Sequence, residues 1–348
     1  MPVFEMKPNG LENLLELTLA DETPIATTQQ VADGTGLRWL SEGILEITPP
    51  NGQAQNLDLL LSAGLHGNET APIELLDRLV KAIVGGELRV RNRVLVVFGN
   101  PEAMRQGNRF VDEDINRLFS AAESSSQSLE AKRATLLKST ASAFFTSDTR
   151  SKLHYDLHTA IRGSKIEQFA LYPWSRGRTP SSLELRRLSH CGIKAVLLQR
   201  KVGITFSSYT YNSLGAEALT IELGKARPFG QNQGLDLSAI EGVIRSLVDG
   251  SYSDAPEVEP PLKVFGVSRE IIKRSDHFQL YLEDSVQNFT HLPVGYLLAE
   301  DADGLRWVVD EENAHIMFPN PTVKNELRAG LIIVPLSESA TSASIISD

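Results

Sequence analysis

Leu57-Asp-Leu-Leu-Leu-Ser-Ala63 is a short, almost wholly apolar run that stops at Gly64. Directly behind it, Ile73, Leu76, Leu79, Val80 and Ile83 recur at three- and four-residue spacing as far as Gly85-Gly86. The run reads as a buried strand, and the spacing after it predicts a helix with one apolar face. The alternation then returns along the chain. Strand-like runs cover 94–98, closed by Gly99-Asn100-Pro101, and later 153–157, 169–172, 195–199 and 218–223. Helical spacing covers 129–145, 183–190 and 235–248. A chain patterned this way is expected to be α/β, with helices layered on a mostly parallel sheet.

The pattern breaks at Ser251-Tyr-Ser-Asp-Ala-Pro-Glu-Val-Glu-Pro-Pro261, where Pro, Ser and acidic residues replace any apolar period. Such composition suits a linker. Beyond it lie short β-prone pieces at 262–267, 278–282, 295–299, 306–309 and 331–334, separated by turn signals such as Asp303-Gly304 and Asn320-Pro321. The expected organisation is an α/β domain over 1–250, a linker over 251–261, a smaller β-rich domain over 262–336 and a frayed Ser/Ala-rich tail over 337–348. The Ser-rich stretch Ser124-Ser-Ser-Gln-Ser128 reads as a mobile loop.

Bulk properties narrow the partners. Hydrophobic residues at 41% and charged residues at 22% are ordinary for a globular protein with a sizeable core. A net charge of -10 argues against a nucleic-acid or anionic-membrane surface. The single cysteine, Cys191, rules out an internal disulfide and a cysteine-based zinc site, and it suits a reducing compartment. Met1-Pro-Val-Phe-Glu-Met-Lys7 carries no secretory pattern, and no apolar run nears the roughly 20 residues needed to span a bilayer. The expectation is a soluble, cytoplasmic protein, with its oligomeric state open.

The chemistry begins at His66-Gly67-Asn68-Glu69, between the first strand and its helix, where open α/β sheets place ligands. A tight turn lets His66 and Glu69 converge, and imidazole plus carboxylate is a donor pair that zinc favours. Taken alone, the same residues could equally form a polar turn capping the helix. A third ligand is expected after another strand. His158 ends such a run, with Asp156 on its face as a partner for the far ring nitrogen. His154 lies on that face too and competes for the role, with a core position as the alternative. Glu222, in Leu219-Thr-Ile-Glu-Leu-Gly224, is an acid near the end of an apolar strand. It reads either as a general acid–base acting on a metal's water or as a partner of Lys225 or Arg227.

Two Asn-Arg pairs, Asn108-Arg109 and Asn116-Arg117, lie beyond the 94–98 strand. Arginine grips carboxylates bidentately and asparagine adds an amide contact, so the pairs suit an anionic substrate. The alternative is a solvated loop in which Arg105, Arg109 and Arg117 pair with Glu113, Asp112 and Asp114.

Taken together, His66-x-x-Glu69, Asn100-Pro101, Asn108-Arg109, Asp114-x-Asn116-Arg117, Asp156-Leu-His-Thr159 and Glu222-Leu-Gly224 resemble the succinylglutamate desuccinylase and aspartoacylase family, related to the zinc carboxypeptidases. The likeness runs from about Gly64 to Phe229. Its longest strings are Asp156-Leu-His-Thr-Ala-Ile-Arg-Gly-Ser164 and Thr220-Ile-Glu-Leu-Gly-Lys-Ala-Arg-Pro-Phe-Gly230, which are most similar to the desuccinylase branch. The resemblance implies a carboxypeptidase-like three-layer fold with a mixed, mostly parallel sheet and a β-rich C-terminal domain. It implies one zinc ion held by His66, Glu69 and His158, with Glu222 as the catalytic acid. It implies hydrolysis of N2-succinyl-L-glutamate to succinate and L-glutamate, the last step of the arginine succinyltransferase route of arginine catabolism. Arg109 and Arg117 fall on the family's substrate-gripping positions, with Asn116 beside the latter and Arg109 also polarising the scissile carbonyl. Arg162 and Arg227 are expected, on position alone, to meet the remaining carboxylates. Two rivals stay open: aspartoacylase-like hydrolysis of another N-acyl acidic amino acid, and a non-catalytic zinc-binding protein on this fold.

Overall fold

The computed structural model describes residues 10–120, 126–254 and 262–336. The N-terminal Met1–Lys7 stretch, Ser124 and Ser125 of the Ser-rich loop, residues 255–261 of the expected linker and the 337–348 tail fall outside the described residues. Among the described residues, no helix is long and apolar enough to cross a membrane.

The apolar runs do become central strands. Leu57–Ala63 pairs in parallel with Arg93–Phe98 on one side and with Ser151–Ala160 on the other. Ser151–Ala160 in turn pairs in parallel with Glu217–Lys225. Apolar side chains on both faces of Leu57–Ala63 are buried, as a strand covered by helices on two sides requires. The one acid in that strand, Asp58, is buried and meets Arg93 at 3.0 Å and Arg150 at 3.3 Å.

The chain leaves Leu57–Ala63 through the helix Thr70–Val84 and returns as Arg93–Phe98 on one side. It then passes through the helix Leu129–Phe144 and returns as Ser151–Ala160 on the other side. Right-handed crossovers in opposite directions put those helices on opposite faces of the sheet, giving three layers. Helix Ser238–Asp249 joins the Thr70–Val84 face, where Glu241 pairs with Arg78 at 3.0 Å. Phe206–Ser213 packs with Leu129–Phe144 on the other face.

The sheet is larger than the sequence suggested. Three strands not read from the sequence, Thr28–Gln30, Gly36–Ser41 and Ile44–Thr48, extend one edge antiparallel to Arg93–Phe98. On the far side come Gln168–Tyr172, antiparallel to Glu217–Lys225, and then Ala195–Leu198. The sheet does not stop there, because Ala195–Leu198 pairs in parallel with Lys263–Ile272 of the C-terminal part. Arg328–Pro335, Ala314–Met317 and Thr290–Leu292 complete thirteen strands, the last two unread from the sequence. A separate three-stranded sheet holds Gln279–Leu280, Leu297–Glu300 and Arg306–Val308. The C-terminal part is β-rich with its own apolar cluster around Ile271, Leu298 and Ile332. A second cluster, including Phe169, Leu197, Phe265 and Leu331, forms a seam between the two parts.

Candidate metal centre

Three adjacent parallel strands deliver the candidate residues to one edge. His66 follows Leu57–Ala63, His158 lies near the end of Ser151–Ala160, and Glu222 stands opposite His158 in the register of Glu217–Lys225. Gly64, at φ 68°, turns the chain out of the first strand in a backbone region that favours glycine. Gly67 lets the turn press against the helix Pro101–Gln106, since a Cβ there would lie 2.1 Å from the Ala103 carbonyl carbon.

Glu69 occupies the N-cap position of Thr70–Val84, yet its carboxylate makes no capping bond. Its Oε1 lies 2.8 Å from His66 Nδ1 and accepts from Arg109 Nη1 at 2.8 Å. Its Oε2 lies 2.8 Å from His158 Nδ1 and accepts the Thr159 N–H at 3.1 Å. His66, Glu69 and His158 are 3%, 2% and 2% exposed, so this polar cluster is removed from bulk water. Burial alone would raise the Glu69 pKa, but the charges of His66 and His158 hold it well below the ordinary range.

The outer ring nitrogens both face carboxylates. His66 Nε2 donates to Asp114 Oδ1 at 3.0 Å, and His158 Nε2 donates to Asp156 Oδ2 at 3.1 Å. Asp156 is fully buried and also accepts from Ser62 Oγ at 2.6 Å. Burial pushes the His158 pKa down, but Asp156 and Glu69 outweigh it and hold it well above the ordinary value. A carboxylate on the outer nitrogen leaves the inner nitrogen free to offer a lone pair.

These residues fit a metal ion. One donor atom from each of His66, Glu69 and His158 lies within 4.8 Å of the others. His66 Nδ1 is buried and has no hydrogen-bond partner among the described residues, despite its approach to Glu69. Two imidazole nitrogens and one carboxylate oxygen form a donor set suited to zinc with an open coordination position.

Glu222 adds an acid beside this cluster. Its Oε2 is buried and has no hydrogen-bond partner among the described residues. Burial and the neighbouring Glu69 charge push its pKa up to about 7, against the pull of His158, His66 and Arg109. His154 has both nitrogens engaged elsewhere, with Ser62 Oγ at 2.8 Å and Thr210 Oγ1 at 2.7 Å. It is a fully buried core histidine, its pKa pushed down to about 4 by burial.

The two Asn-Arg pairs fare differently. Arg109 reaches Glu69, and Arg117 is half-exposed with its Nη2 3.9 Å from Asp114 Oδ2. Asn116 is buried, and its Oδ1 accepts the Phe206 N–H at 2.9 Å, tying this segment to the start of Phe206–Ser213. Asn108 is exposed and donates to Gln106. Arg162 donates to the carbonyls of Asp284 and Val286, at 2.6 and 3.0 Å, which links the strand end to the C-terminal part. Arg227 is exposed and reaches the Gln231 carbonyl at 3.4 Å. The solvated-loop alternative fails for Asp112 and Glu113, which instead bind the start of Leu129–Phe144, and for Arg105, which pairs with Glu42 and Glu102.

Asp114 was not read as a partner of His66. The two lie 48 residues apart, and the only signal was the Asp-x-Asn-Arg string, which drew attention to its arginine. A separate cavity of about 660 Å³, lined in part by Trp174, Arg176, Arg178 and Arg200, belongs to the opposite edge of the sheet. Gln168–Tyr172 and Ala195–Leu198 run against Glu217–Lys225, so their carboxyl ends point away from the histidines.

Comparison with known proteins agrees over nearly the whole chain. Residues 55–247 match the family model described as the succinylglutamate desuccinylase/aspartoacylase catalytic domain, and residues 260–336 match the AstE/AspA barrel-sandwich hybrid domain. A succinylglutamate desuccinylase of Ectopseudomonas mendocina (strain ymp) is 61% identical over 329 residues, covering 94% of this chain and 97% of that protein. The crystal structure of succinylglutamate desuccinylase from Chromobacterium violaceum has 40% identity and a TM-score of 0.83, covering 95% of this chain and 99% of that one. The corresponding structure from Vibrio parahaemolyticus has 33% identity and a TM-score of 0.84, covering 93% and 95%. The chain belongs to the succinylglutamate desuccinylase/aspartoacylase family.

Proposed function

We propose that this chain is a zinc-dependent amide hydrolase that cleaves N2-succinyl-L-glutamate to succinate and L-glutamate, using one ion held by His66, Glu69 and His158. The observation that carries the reading is Glu222, an unpaired buried carboxyl oxygen on the strand next to His158, beside a cluster that fits a metal. The choice of substrate is supported by the 61% identity to a relative named for that reaction. In that role the enzyme completes the arginine succinyltransferase route of arginine catabolism in the cytoplasm.

Zinc, when bound, supplies Lewis acidity to water and to a carbonyl oxygen. Glu222 takes a proton from the attacking water at its free Oε2 and returns it to the glutamate nitrogen as the amide C–N bond breaks. Arg109, already turned toward the cluster, donates to the amide oxygen as negative charge develops on it. Arg117 is half-exposed, with one Nη on the Asn116 carbonyl at 3.0 Å and the other 3.9 Å from Asp114, and it is assigned to receive a substrate carboxylate. Asn108, Arg162 and Arg227 are assigned to the outer reach of the substrate, where their present partners are mainly carbonyls and an amide.

Steady-state assay should show turnover of N-succinyl-L-glutamate well above that of N-acetyl-L-aspartate, lost on chelation and restored by zinc. A purified, zinc-loaded chain that leaves N-succinyl-L-glutamate intact would overturn the reading. Glu222→Gln should keep zinc and lose about 10²- to 10⁴-fold in kcat. Near-normal turnover in that variant would remove Glu222 from the mechanism. Asp114→Ala should weaken zinc binding about 10- to 100-fold by freeing the His66 ring, as read by competition with a chromogenic chelator. The base form of Glu222 grows as pH rises through its raised pKa. The kcat/KM profile should therefore climb with pH on an acidic limb whose midpoint lies at or below about 7, since a bound cation draws it lower. A rate that falls with rising pH across that range would contradict the assignment.

A further inference from the structure

Glu130 lies on the first turn of Leu129–Phe144 and is fully buried. A buried carboxylate requires donors, and this one has four. Asn100 Nδ2 at 3.1 Å and the Val111 N–H at 2.7 Å reach Oε1, while the Asp112 and Glu113 N–H groups reach Oε2 at 3.2 and 3.4 Å. Three of the four are consecutive backbone amides in the segment joining Arg109 to Asp114. The segment answers in kind, since Asp112 Oδ2 accepts the Leu129 N–H at 3.0 Å and Glu113 Oε1 accepts from Ser128 Oγ at 2.5 Å. Asn100 extends the network to the helix Pro101–Gln106, which it caps by accepting the Ala103 N–H at 3.3 Å.

What this network fixes matters because of what lies at its ends. On one side Arg109 meets Glu69 at 2.8 Å, and on the other Asp114 meets His66 at 3.0 Å with Arg117 three residues further on. Among the described residues, the Glu130 carboxylate has no hydrogen bond or ion pair to any of these side chains. Backbone amides that all point at one carboxylate leave a loop little freedom, and a shift of about 1 Å at a binding group can cost about 10²-fold. An amide in place of the carboxylate would turn an NH2 donor onto the loop's own N–H donors.

We infer that Glu130 is a positioning residue that sets the 109–117 segment, and so governs how tightly a multiply anionic N-acyl amino acid is held at the site. The inference rests on the proposed function for its substrate, but its structural part is measured separately. In Glu130→Gln of the full-length, zinc-loaded chain, hydrogen exchange at the Val111, Asp112 and Glu113 amides should accelerate while the central strands keep their protection. KM for N-succinyl-L-glutamate should rise about 10-fold or more. Combined with Arg117→Ala, the KM effect should shrink below the product of the two single changes, because the loop then has less to position. Leu137→Ala, a buried change in the same helix, supplies the control: it should lower thermal stability and leave KM within about twofold. Should Glu130→Gln fail to fold, Glu130→Asp keeps the charge but shortens the reach, and the same shifts are expected in it. Unchanged amide exchange with unchanged KM would overturn the inference, as would an equal rise of KM in Leu137→Ala. If wild-type chain does not hydrolyse N-succinyl-L-glutamate, the proposed function fails, while the amide-exchange result still decides the role of Glu130.

Discussion

A carboxylate buried between two imidazoles, Glu69 between His66 and His158, is the contact to which the surrounding structure is fitted. Burying such groups is costly unless every charge finds a partner. The neighbours answer that need one by one. Asp114 and Asp156 take the outer nitrogens, Arg109 and the Thr159 N–H take what remains of Glu69, and Ser62 satisfies Asp156. The two inner nitrogens are left facing one carboxylate, and His66 Nδ1 is left without a hydrogen bond. A cluster satisfied on its outside, with His66 Nδ1 left unpartnered at its centre, fits the metal ion proposed to bind there.

The sheet explains how distant residues reach that centre. Parallel strands end at one edge, and the three that matter are neighbours, so residues 66, 158 and 222 become adjacent without any long loop. The loop that does contribute, 107–119, is not left to itself. It is held from behind by Glu130, from the side by Asn116 on the Phe206 N–H, and from the front by its own contacts to Glu69 and His66. The C-terminal part shares the same sheet through Ala195–Leu198 and Lys263–Ile272, and Arg162 ties it to the end of the strand that bears His158.

Much of this was legible in the sequence, and the parts that were not have physical reasons. Central strands announce themselves because both faces are buried, so their residues are continuously apolar. Gly36–Ser41, one strand in from the sheet's end, has only one fully buried residue and carries polar ones, so it gives no continuous apolar run. Helix Phe206–Ser213 is built from Ser, Thr, Tyr and Asn, which have little helical preference of their own. It forms because Thr205 caps it through the Ser208 N–H and because Asn116 accepts the Phe206 N–H, one a local signal and the other a contact across 90 residues. The same distinction separates Asp156 from Asp114. Asp156 sits two residues from His158 on one strand face, where alternation makes the pairing visible. Asp114 reaches His66 only once two loops have folded together. The break at 251–261 marked a change of texture, but it could not show that one sheet continues past it, because strand pairing is a property of the fold and not of any local pattern.

Charge balance then distinguishes the arginines. Glu69, Asp114, Asp156 and Glu222 are four carboxyl groups at one strand edge, and the raised pKa of Glu222 registers burial and, after it, the charge of Glu69. The proposed substrate, N-succinylglutamate, would bring three more carboxylates. Unit charges 4 Å apart interact by about 4 kcal/mol at an effective dielectric near 20, so such a substrate cannot approach unless positive charge outweighs the site's own acids. In the proposed reaction, a divalent ion held by His66, Glu69 and His158 would supply part of that excess. The rest must come from guanidinium groups not already spent on the protein's carboxylates. Arg109 is engaged with Glu69 at 2.8 Å beside the cluster, the position from which the proposed mechanism has it meet the scissile carbonyl. Arg117 is 54% exposed at its side chain, donates to the Asn116 carbonyl at 3.0 Å and meets Asp114 only at 3.9 Å, so it is less committed to the protein's carboxylates than Arg109 is. In the proposed reaction, the same loop would offer one arginine to the reacting bond and one to the substrate's far end, joined by the backbone whose amides donate to Glu130.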